Sequence, residues 1–284
     1  MDSTIQLYSF VRSGASIYIG QIVEVSLRPA SPGQQEVALR IILEQTLWGK
    51  TGAPVRRSEF TQPDTETARL KFPHHIWGRV NPRKGARVFM VTRELGEQPA
   101  DPIYVEEIVD PNDAVLGDII NILNQESLEP EPPARKARYL KYLTEGSIVE
   151  KLFGGEALAK DSDLPDIDQN GDVAIAMSAI FVSNETTYVR ISVGTWMWEN
   201  IYPRTNHAGK ASIIDVTIKA TEAASEDIQR LSLDYLTGID PDDLRQPGVL
   251  ASPALITRLQ DRLSLETDSE VRDQLQRTIG ALKT

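Results

Sequence analysis

The sequence predicts an α+β protein in two parts, with β-structure first and an all-α domain after it. Three observations support this class. Apolar and polar residues alternate up to about residue 115 and then apolar residues recur at helical spacing. Gly, Pro and Asn clusters interrupt the first part, and helix-start signals recur in the second. The predicted domains are 1–115, a helix and Pro-rich linker over 116–132, and 133–284.

Five segments of the first part are predicted to form β-strands. They are rich in β-branched residues, they alternate at least partly between apolar and polar positions, and turn-forming residues separate them. The segments are Ser16–Val25, Val37–Leu47, Val55–Thr61, Arg87–Arg93 and Ile103–Val109. Five strands with long irregular connections indicate a small Greek-key barrel or a sandwich.

Helix-start signals mark the second part. Ser147–Glu150 and Thr267–Glu270 match the capping box, in which Ser or Thr at the N-cap is followed three residues later by Glu. Ser252–Pro253 and Asp240–Pro241 pair an N-cap residue with a first-turn proline. The acids after Ser225 favour the positive end of another helix. These signals predict helices up to the end of the chain.

Four apolar residues, each about one turn into a predicted helix, recur at a nearly constant interval. Val149, Val189, Ile228 and Val271 are separated by 40, 39 and 43 residues, and another apolar-periodic segment precedes each of them. The pattern resembles HEAT or armadillo-type repeats over roughly 133–284. This resemblance implies about four stacked helix pairs with a concave surface for a partner. A non-repeating helical bundle is the alternative.

Three segments of the first part resemble netrin-like and tissue-inhibitor-of-metalloprotease-like domains. They are Ile17–Val25, Ile41–Lys50, which ends in a Trp-Gly-Lys turn, and Lys84–Thr92, which begins Lys-Gly-Ala-Arg. The resemblance implies an OB-like β-barrel over about 14–112. Inhibitors of that family act through a disulfide-held N-terminal cysteine, and this chain has no cysteine. Protease inhibition is therefore not carried over.

Composition excludes several classes of protein. Of the 284 residues, 40% are hydrophobic and 25% charged, which is typical of a soluble globular protein with room for two cores. No apolar run approaches the ~20 residues of a membrane span. The absence of cysteine excludes disulfides and thiol catalysis, and three histidines leave little material for a metal centre. We expect no cofactor. Met1–Thr4 lacks a signal-peptide pattern, so the chain reads as cytoplasmic, or as an exported form if a leader was removed.

Charge is distributed unevenly along the chain, whose net charge is -11. Residues 116–284 hold 17 basic and 27 acidic side chains, so most of the acidity lies in the second part. Residues 50–93 instead hold ten basic and three acidic side chains. A nucleic-acid partner is disfavoured by the net charge, because phosphate neutralisation supplies most non-specific affinity. The basic segment nevertheless supplies candidate partner-binding residues, namely Arg56, Arg57, Arg83, Lys84 and Arg87.

Two motif-like segments favour structural interpretations. Asp166, Asp168, Asn170 and Asp172 match the first half of a calcium loop, but Met177 stands where the bidentate Glu should be. The segment is therefore a weak calcium candidate, and an acidic loop that caps a helix is the preferred interpretation. The Gly-Lys-Thr after Trp48 lacks the upstream glycine of a phosphate-binding loop and predicts a hairpin turn.

Two tryptophans lie close together in the second part. At helical spacing from Val189 and Val193, Trp196 is predicted to face the core. Trp198 then lies about 200° around the helix from it, on the opposite side. The segment is predicted to serve mainly core packing, with Trp198 buried only if a neighbouring repeat covers it. If it is exposed, Trp198 is a candidate recognition residue, because exposed tryptophan is favoured in binding hot spots.

We expect a non-catalytic interaction or scaffold protein that binds another protein through its helical-repeat surface and its β-module. One alternative is a hydrolase whose carboxylates cannot be recognised in one sequence. The other is an OB-type nucleic-acid binder that stacks bases on Trp48 or Trp77. Its phosphate contacts would come from Arg56, Arg57, Arg69, Lys71, Arg83, Lys84 and Arg87.

Overall fold

The structure, a computed structural model, forms two compact units, Met1–Glu129 and Pro130–Thr284. The residues described are 1–51, 55–63, 80–93, 102–128, 131–164, 168, 170–244 and 253–283. The helix expected inside a linker at 116–132 belongs to the first unit by its contacts. No helix within these ranges combines the length and the apolar character that a membrane crossing requires.

The first unit contains one antiparallel sheet in its described residues. Its strands are β1 (Ser16–Pro29), β2 (Gln34–Trp48), β3 (Val55–Pro63), β4 (Arg87–Thr92) and β5 (Pro102–Glu107). The strand order is β3-β2-β1-β4-β5. All five predicted strands are present, but the sheet is open, so the closed barrel is not confirmed. Barrel closure depends on pairing between strands far apart in sequence, which alternation within a strand does not report.

One face of the sheet carries a continuous apolar cluster, here called the inner face. In register across β1 and β2, Ile22 lies opposite Ile41 and Val25 opposite Leu39. A register shift between Ile22 and Glu24 inserts one extra residue, and it keeps the apolar positions of β1 on the inner face beyond it. The cluster consists of Ile22, Val37, Leu39, Ile41, Val80, Ala86, Val88, Met90 and Val105.

Two helices, α1 (Leu7–Arg12) and α2 (Ala114–Glu126), complete the described core of the first unit. Phe10 of α1 packs against Tyr104 of β5 at a ring distance of 6.0 Å, and Tyr104 in turn contacts Phe89 of β4 edge-on. Asp113 caps α2 by accepting hydrogen bonds from its first-turn amides. Burial of these apolar faces, rather than intrinsic propensity, stabilises such short helices.

The second unit is helical throughout its described elements. The helices are α3 (Pro132–Glu145), α4 (Ile148–Lys160), α5 (Asp172–Phe181), α6 (Thr187–Trp196), α7 (His207–Ala220), α8 (Glu226–Thr237), α9 (Pro241–Leu244), α10 (Pro253–Leu265) and α11 (Ser269–Leu282). The predicted capping box at Ser147 is present with both of its hydrogen bonds. The box predicted from Thr267 is wrong, because Asp268 is the N-cap and its carboxylate accepts the bonds from the first turn.

The helices contact one another in successive pairs along the chain. Within pairs, α3 contacts α4, α5 contacts α6, α7 contacts α8 and α10 contacts α11. Between pairs, the first helices contact one another from α3 to α5 to α7, and the second helices do so from α4 to α6 to α8 to α11. Each pair therefore buries its apolar face mainly against its neighbours.

Glycines allow close approach at several of these helix contacts. A Cβ on Gly154 of α4 would lie 2.6 Å from the backbone oxygen of Tyr139 in α3. A Cβ on Gly194 of α6 would lie 2.6 Å from the ring of Phe181 in α5. Both distances are shorter than van der Waals contact, so a side chain at either position would push the two helices apart.

Candidate interaction surfaces

Ion pairs occupy part of the basic segment of the first unit. Arg83 donates a hydrogen bond to Glu107 at 2.7 Å, and Arg87 donates one to Glu44 at 2.9 Å. Both arginines remain partly exposed, and pairs of this kind contribute roughly 0–1 kcal/mol each. Their charge is locally neutralised, which reduces the positive potential that they present to a polyanion.

The other predicted cations of this unit do not share one surface. Arg57 is exposed on β3, whereas Arg56, the preceding residue, is buried on the inner face, and Lys84 lies exposed in a turn before β4. Arg69, Lys71 and Trp77 lie outside the described residues, and Trp48 is half-buried at the end of β2. Arg56 therefore does not share a sheet face with Arg57.

Trp198 is buried, not exposed as the helical phase predicts. It is 7% exposed and its indole nitrogen donates a hydrogen bond to Thr217 at 3.1 Å, whereas Trp196 is only half-buried. Trp198 lies in a π-helical turn over Met197–Ile201, marked by a bond from the Tyr202 amide to the Met197 carbonyl at 2.8 Å. It is buried because neighbouring helices cover it, through Thr217 of α7 and Tyr235 of α8.

An aromatic and charged cluster surrounds Trp198. Its ring stacks on Tyr235 at 5.3 Å and contacts Tyr202 at 4.5 Å. The Tyr202 hydroxyl donates to Asp243 at 2.6 Å, and the Lys210 ammonium donates to the same carboxylate at 3.0 Å. Burial and the bond to Asp243 raise the pKa of Tyr202 above its usual range, so its hydroxyl stays protonated. The cluster ties α6, α7, α8 and α9 together.

The bonds to Asp243 also change its own pKa. Burial favours the protonated carboxyl, but the bonds from Tyr202 and Lys210 and the positive charge of Lys210 outweigh it. The pKa of Asp243 is consequently lowered, and the carboxylate is ionised at neutral pH. A carboxylate bonded in this way acts as a structural link between α9 and α7.

The acidic loop before α5 uses its described carboxylates for helix capping and ion pairing. Asp168 is buried and accepts hydrogen bonds from the amides of Val173 and Ala174 at 2.9 and 3.1 Å. Asp172 pairs with Lys136 of α3 at 2.9 Å. Asn170 is exposed in the turn, and Asp166 lies outside the described residues. Within the described ranges, no group of three or more His, Cys, Asp or Glu could hold a metal ion.

The two acids of this loop are shifted in opposite directions. Burial raises the pKa of Asp168, although its hydrogen bonds oppose the shift. Burial would also raise the pKa of Asp172, but the bond to Lys136 and its charge lower it overall. The ionised carboxylate of Asp172 therefore forms the ion pair with Lys136 of α3, and Asp168 caps the first turn of α5.

The residue after each repeating apolar position donates a hydrogen bond to an earlier carbonyl in three of the four helix pairs. Arg190 donates to the Phe181 carbonyl at 2.8 Å and Arg272 donates to the Leu263 carbonyl at 3.1 Å, in both cases nine residues earlier in the chain. Gln229 donates to the Ala223 carbonyl, six residues earlier and in the loop after α7. The two arginine bonds join the start of the second helix to the last turn of the first, which satisfies carbonyls that a helix end leaves free.

An exposed apolar stripe lies along α5. Ile175 is 53% exposed, Ala179 follows one turn later, and Val182 at the end of the helix is 41% exposed. The spacing of four and three residues places all three on one side of the helix. The sequence predictions did not include this stripe. A signal was available, because α5 carries apolar residues nearly all round, more than its contacts with α3, α6 and α7 cover.

Comparison of the chain with protein-family models, with curated proteins and with solved structures finds no match. The assignment of a function therefore depends on the contacts described above.

Proposed function

We propose that this chain is a non-catalytic interaction or scaffold protein that binds another protein through its helical unit, with the sheet unit as a second module. We further propose that the helical unit is a HEAT-like repeat array and that the sheet unit is an OB-like, netrin-related module. An open five-stranded sheet with β1 at its centre is compatible with the partly open OB architecture.

The repeated bond between the helices of a pair is the observation that carries the repeat proposal. Arg190 and Arg272 follow repeat positions 82 residues apart, and each reaches back nine residues to a helix end. The same side-chain type at the same distance favours four variants of one unit over an irregular bundle. Arrays of this kind present extended surfaces to partners.

The apolar stripe of α5 is the surface that we assign to the partner. Isolated exposed apolar residues are normal, whereas Ile175, Ala179 and Val182 adjoin along one side of one helix. The helical half of the chain is also acidic, with 17 basic against 27 acidic side chains over 116–284. The partner should therefore offer apolar side chains within a basic surface.

The two alternatives have less support. A nucleic-acid site is weakened by the ion pairs of Arg83 and Arg87 and by the burial of Arg56. The hydrolase alternative gains nothing from Asp168, Asp172 and Asp243, since a helix cap or an ion pair engages each of them.

The test uses the full chain as bait in an extract of its native source, followed by quantitative identification of bound proteins. The bait is compared with the double variant Ile175→Glu plus Val182→Glu. Leu265→Glu is the matched control, because Leu265 is 82% exposed at the end of α10 and lies outside the stripe. All three are checked by circular dichroism for equal helix content.

We expect one or more proteins to be retained by the wild type and by the Leu265 variant and lost from the double variant. Equal retention by all three baits would refute the assigned surface. Recovery of nucleic acid that dissociates steeply as salt is raised would instead favour the nucleic-acid alternative.

A further inference from the structure

Arg56 is a cation buried on the inner face of the sheet. Its register partner is Ile41 of β2, which belongs to the apolar cluster, and the whole Arg56 residue is 8% exposed. The guanidinium lies over the ring of Tyr18, with its central carbon 5.6 Å from the ring centre. Tyr18 is fully buried and its hydroxyl donates to the Lys50 carbonyl at 2.8 Å, which fixes the position of the ring.

Within the described residues, one nitrogen of this buried cation has no hydrogen-bond acceptor. Its Nε atom is shielded from solvent and has no hydrogen-bond partner. The acids of the same unit pair with exposed arginines instead, in the pairs Glu24–Arg40, Glu44–Arg87 and Glu107–Arg83. These carboxylates therefore pair with exposed arginines, whereas the buried Arg56 has no ion pair among the described residues.

Physical chemistry makes this arrangement unfavourable unless an anion completes it. An arginine side chain stays protonated at every physiological pH. A buried charge without a partner is strongly disfavoured, and a tyrosine ring compensates only in part. The Tyr18 ring contacts the guanidinium, and Nε is left without a hydrogen-bond partner. The edge of a guanidinium that contains Nε has two parallel N–H groups, the geometry that carboxylates and phosphates accept bidentately.

We propose that Arg56 anchors a binding site for the oxyanion of a small molecule, a carboxylate or a phosphate. Ser58, two residues along the same side of β3, is 6% exposed and supplies the nearest further polar group on this strand. Gln62 is also buried with an unpartnered Nε2, but it lies roughly 20 Å farther along an extended strand, too far to share one oxyanion. The site is therefore centred on Arg56 and the Tyr18 ring.

The experiment measures the melting temperature of the full chain in three forms, the wild type, Arg56→Met and Arg57→Met. Arg57 is the matched control, because it is the next residue on the same strand and is exposed. Each form is melted with chloride alone, with inorganic phosphate and with acetate, at equal ionic strength. Calorimetric titration of the wild type with phosphate and with acetate gives a second measurement that needs no variant.

We expect phosphate or acetate at tens of millimolar to raise the melting temperature of the wild type and of Arg57→Met by about 3 °C or more. The melting temperature of Arg56→Met should not change with either anion, and in chloride it should not fall below that of the wild type. The anion that acts identifies the oxyanion class.

Three results would overturn the proposal. Equal shifts in the wild type and in Arg56→Met would show non-specific salt effects. A clear loss of stability of Arg56→Met in chloride would show that Arg56 acts structurally through Tyr18. If Arg56→Met does not fold, the titration decides, and absence of saturable heat for both anions refutes the site.

Discussion

The two units of this protein satisfy their polar groups in different ways. In the helical unit, long polar side chains reach the carbonyls at helix ends, as Arg190 and Arg272 do. In the sheet unit, charges pair across strands at the surface, as Arg87 and Glu44 do. The helical unit therefore uses bonds from half-buried arginines to helix ends, and the sheet unit uses exposed ion pairs between strands. Substitutions of bonded residues should accordingly be more costly in the helical unit.

The largest expected effect comes from Trp198. Trp198→Ala should lower the free energy of unfolding by about 3–5 kcal/mol, because it removes a buried ring that stacks on two tyrosines. Trp196→Ala should cost less, since Trp196 is only half-buried. Urea denaturation followed by circular dichroism measures both. A greater loss for Trp196→Ala would contradict the burial of Trp198 between α7 and α8.

A smaller effect should follow from adding one methyl group between helices. Gly154→Ala should lower the free energy of unfolding by about 1–3 kcal/mol, because the new Cβ meets the Tyr139 backbone, which cannot rotate away. Gly280→Ala in α11 is the control, since nothing lies within 4 Å of its Cβ position. Helix propensity should make the control about 0.5–1 kcal/mol more stable. Thermal melts should thus move in opposite directions, and a shared direction would show that α3 and α4 are not in close contact.

The arginine bonds within pairs should be measurable individually. Arg190→Met should lower the free energy of unfolding by about 1.5–3 kcal/mol, the range for hydrogen bonds to charged groups. Water that bonds the Phe181 carbonyl in the variant would reduce this loss. Arg230→Met is the comparison, because the Arg230–Asp227 pair is exposed on both sides and should contribute under about 0.5 kcal/mol. Denaturant midpoints give both values. Equal losses of stability in the two variants would show that the bond to a helix end contributes no more than an exposed ion pair.

Acid should weaken the link through Asp243. Its pKa is lowered in the folded chain, so its contribution to stability is present above the ordinary value near 3.8 and is lost as the pH falls through the lower folded value. The melting temperature of the wild type should therefore drop more steeply below about pH 4 than that of Asp243→Asn. Melts between pH 7 and roughly pH 2.5 test this. Parallel curves for the two proteins would show that Asp243 is not ionised in a stabilising pair.

The smallest effect is expected at the surface of the sheet unit. Arg87→Met removes one half-exposed ion pair and should change the free energy of unfolding by at most about 1 kcal/mol. Moderate salt should remove most of that difference by screening. If Arg87→Met lowered the free energy of unfolding as much as Arg190→Met, the two units would not differ in the cost of losing a bonded arginine. Denaturation at two salt concentrations provides the measurement.

Much of the secondary structure could be predicted because its signals are local. Alternation located all five strands, although β1 and β2 extend to Pro29 and Trp48 as a longer hairpin than their apolar residues indicate. The Ser147 box was correct because the Ser and Glu that form it lie within one turn. At Thr267 the neighbouring Asp268 can cap equally well, and spacing alone does not choose between them.

The surfaces were less predictable because they depend on contacts between distant residues. The burial of Trp198 was missed because apolar spacing within one helix does not report the neighbouring helices that cover it. Arg56 and Arg57 are adjacent in a basic segment, yet the pleat of β3 sends them to opposite faces. Which face is buried depends on the pairing of β3 with β2, and a single strand does not reveal that.

The bonds from Arg190 and Arg272 have a consequence for how such a chain can change length. Each begins and ends inside one helix pair, so the residues that make it are inherited together when a gene segment coding for that pair is copied or lost. A duplication of about 40 codons would copy both the arginine and the carbonyl of the bond within a pair. A duplication of half that length would separate donor from acceptor and leave a helix end with free carbonyls. On the proposed repeat organisation, whole pairs are therefore the increments by which the helical unit would grow or shorten.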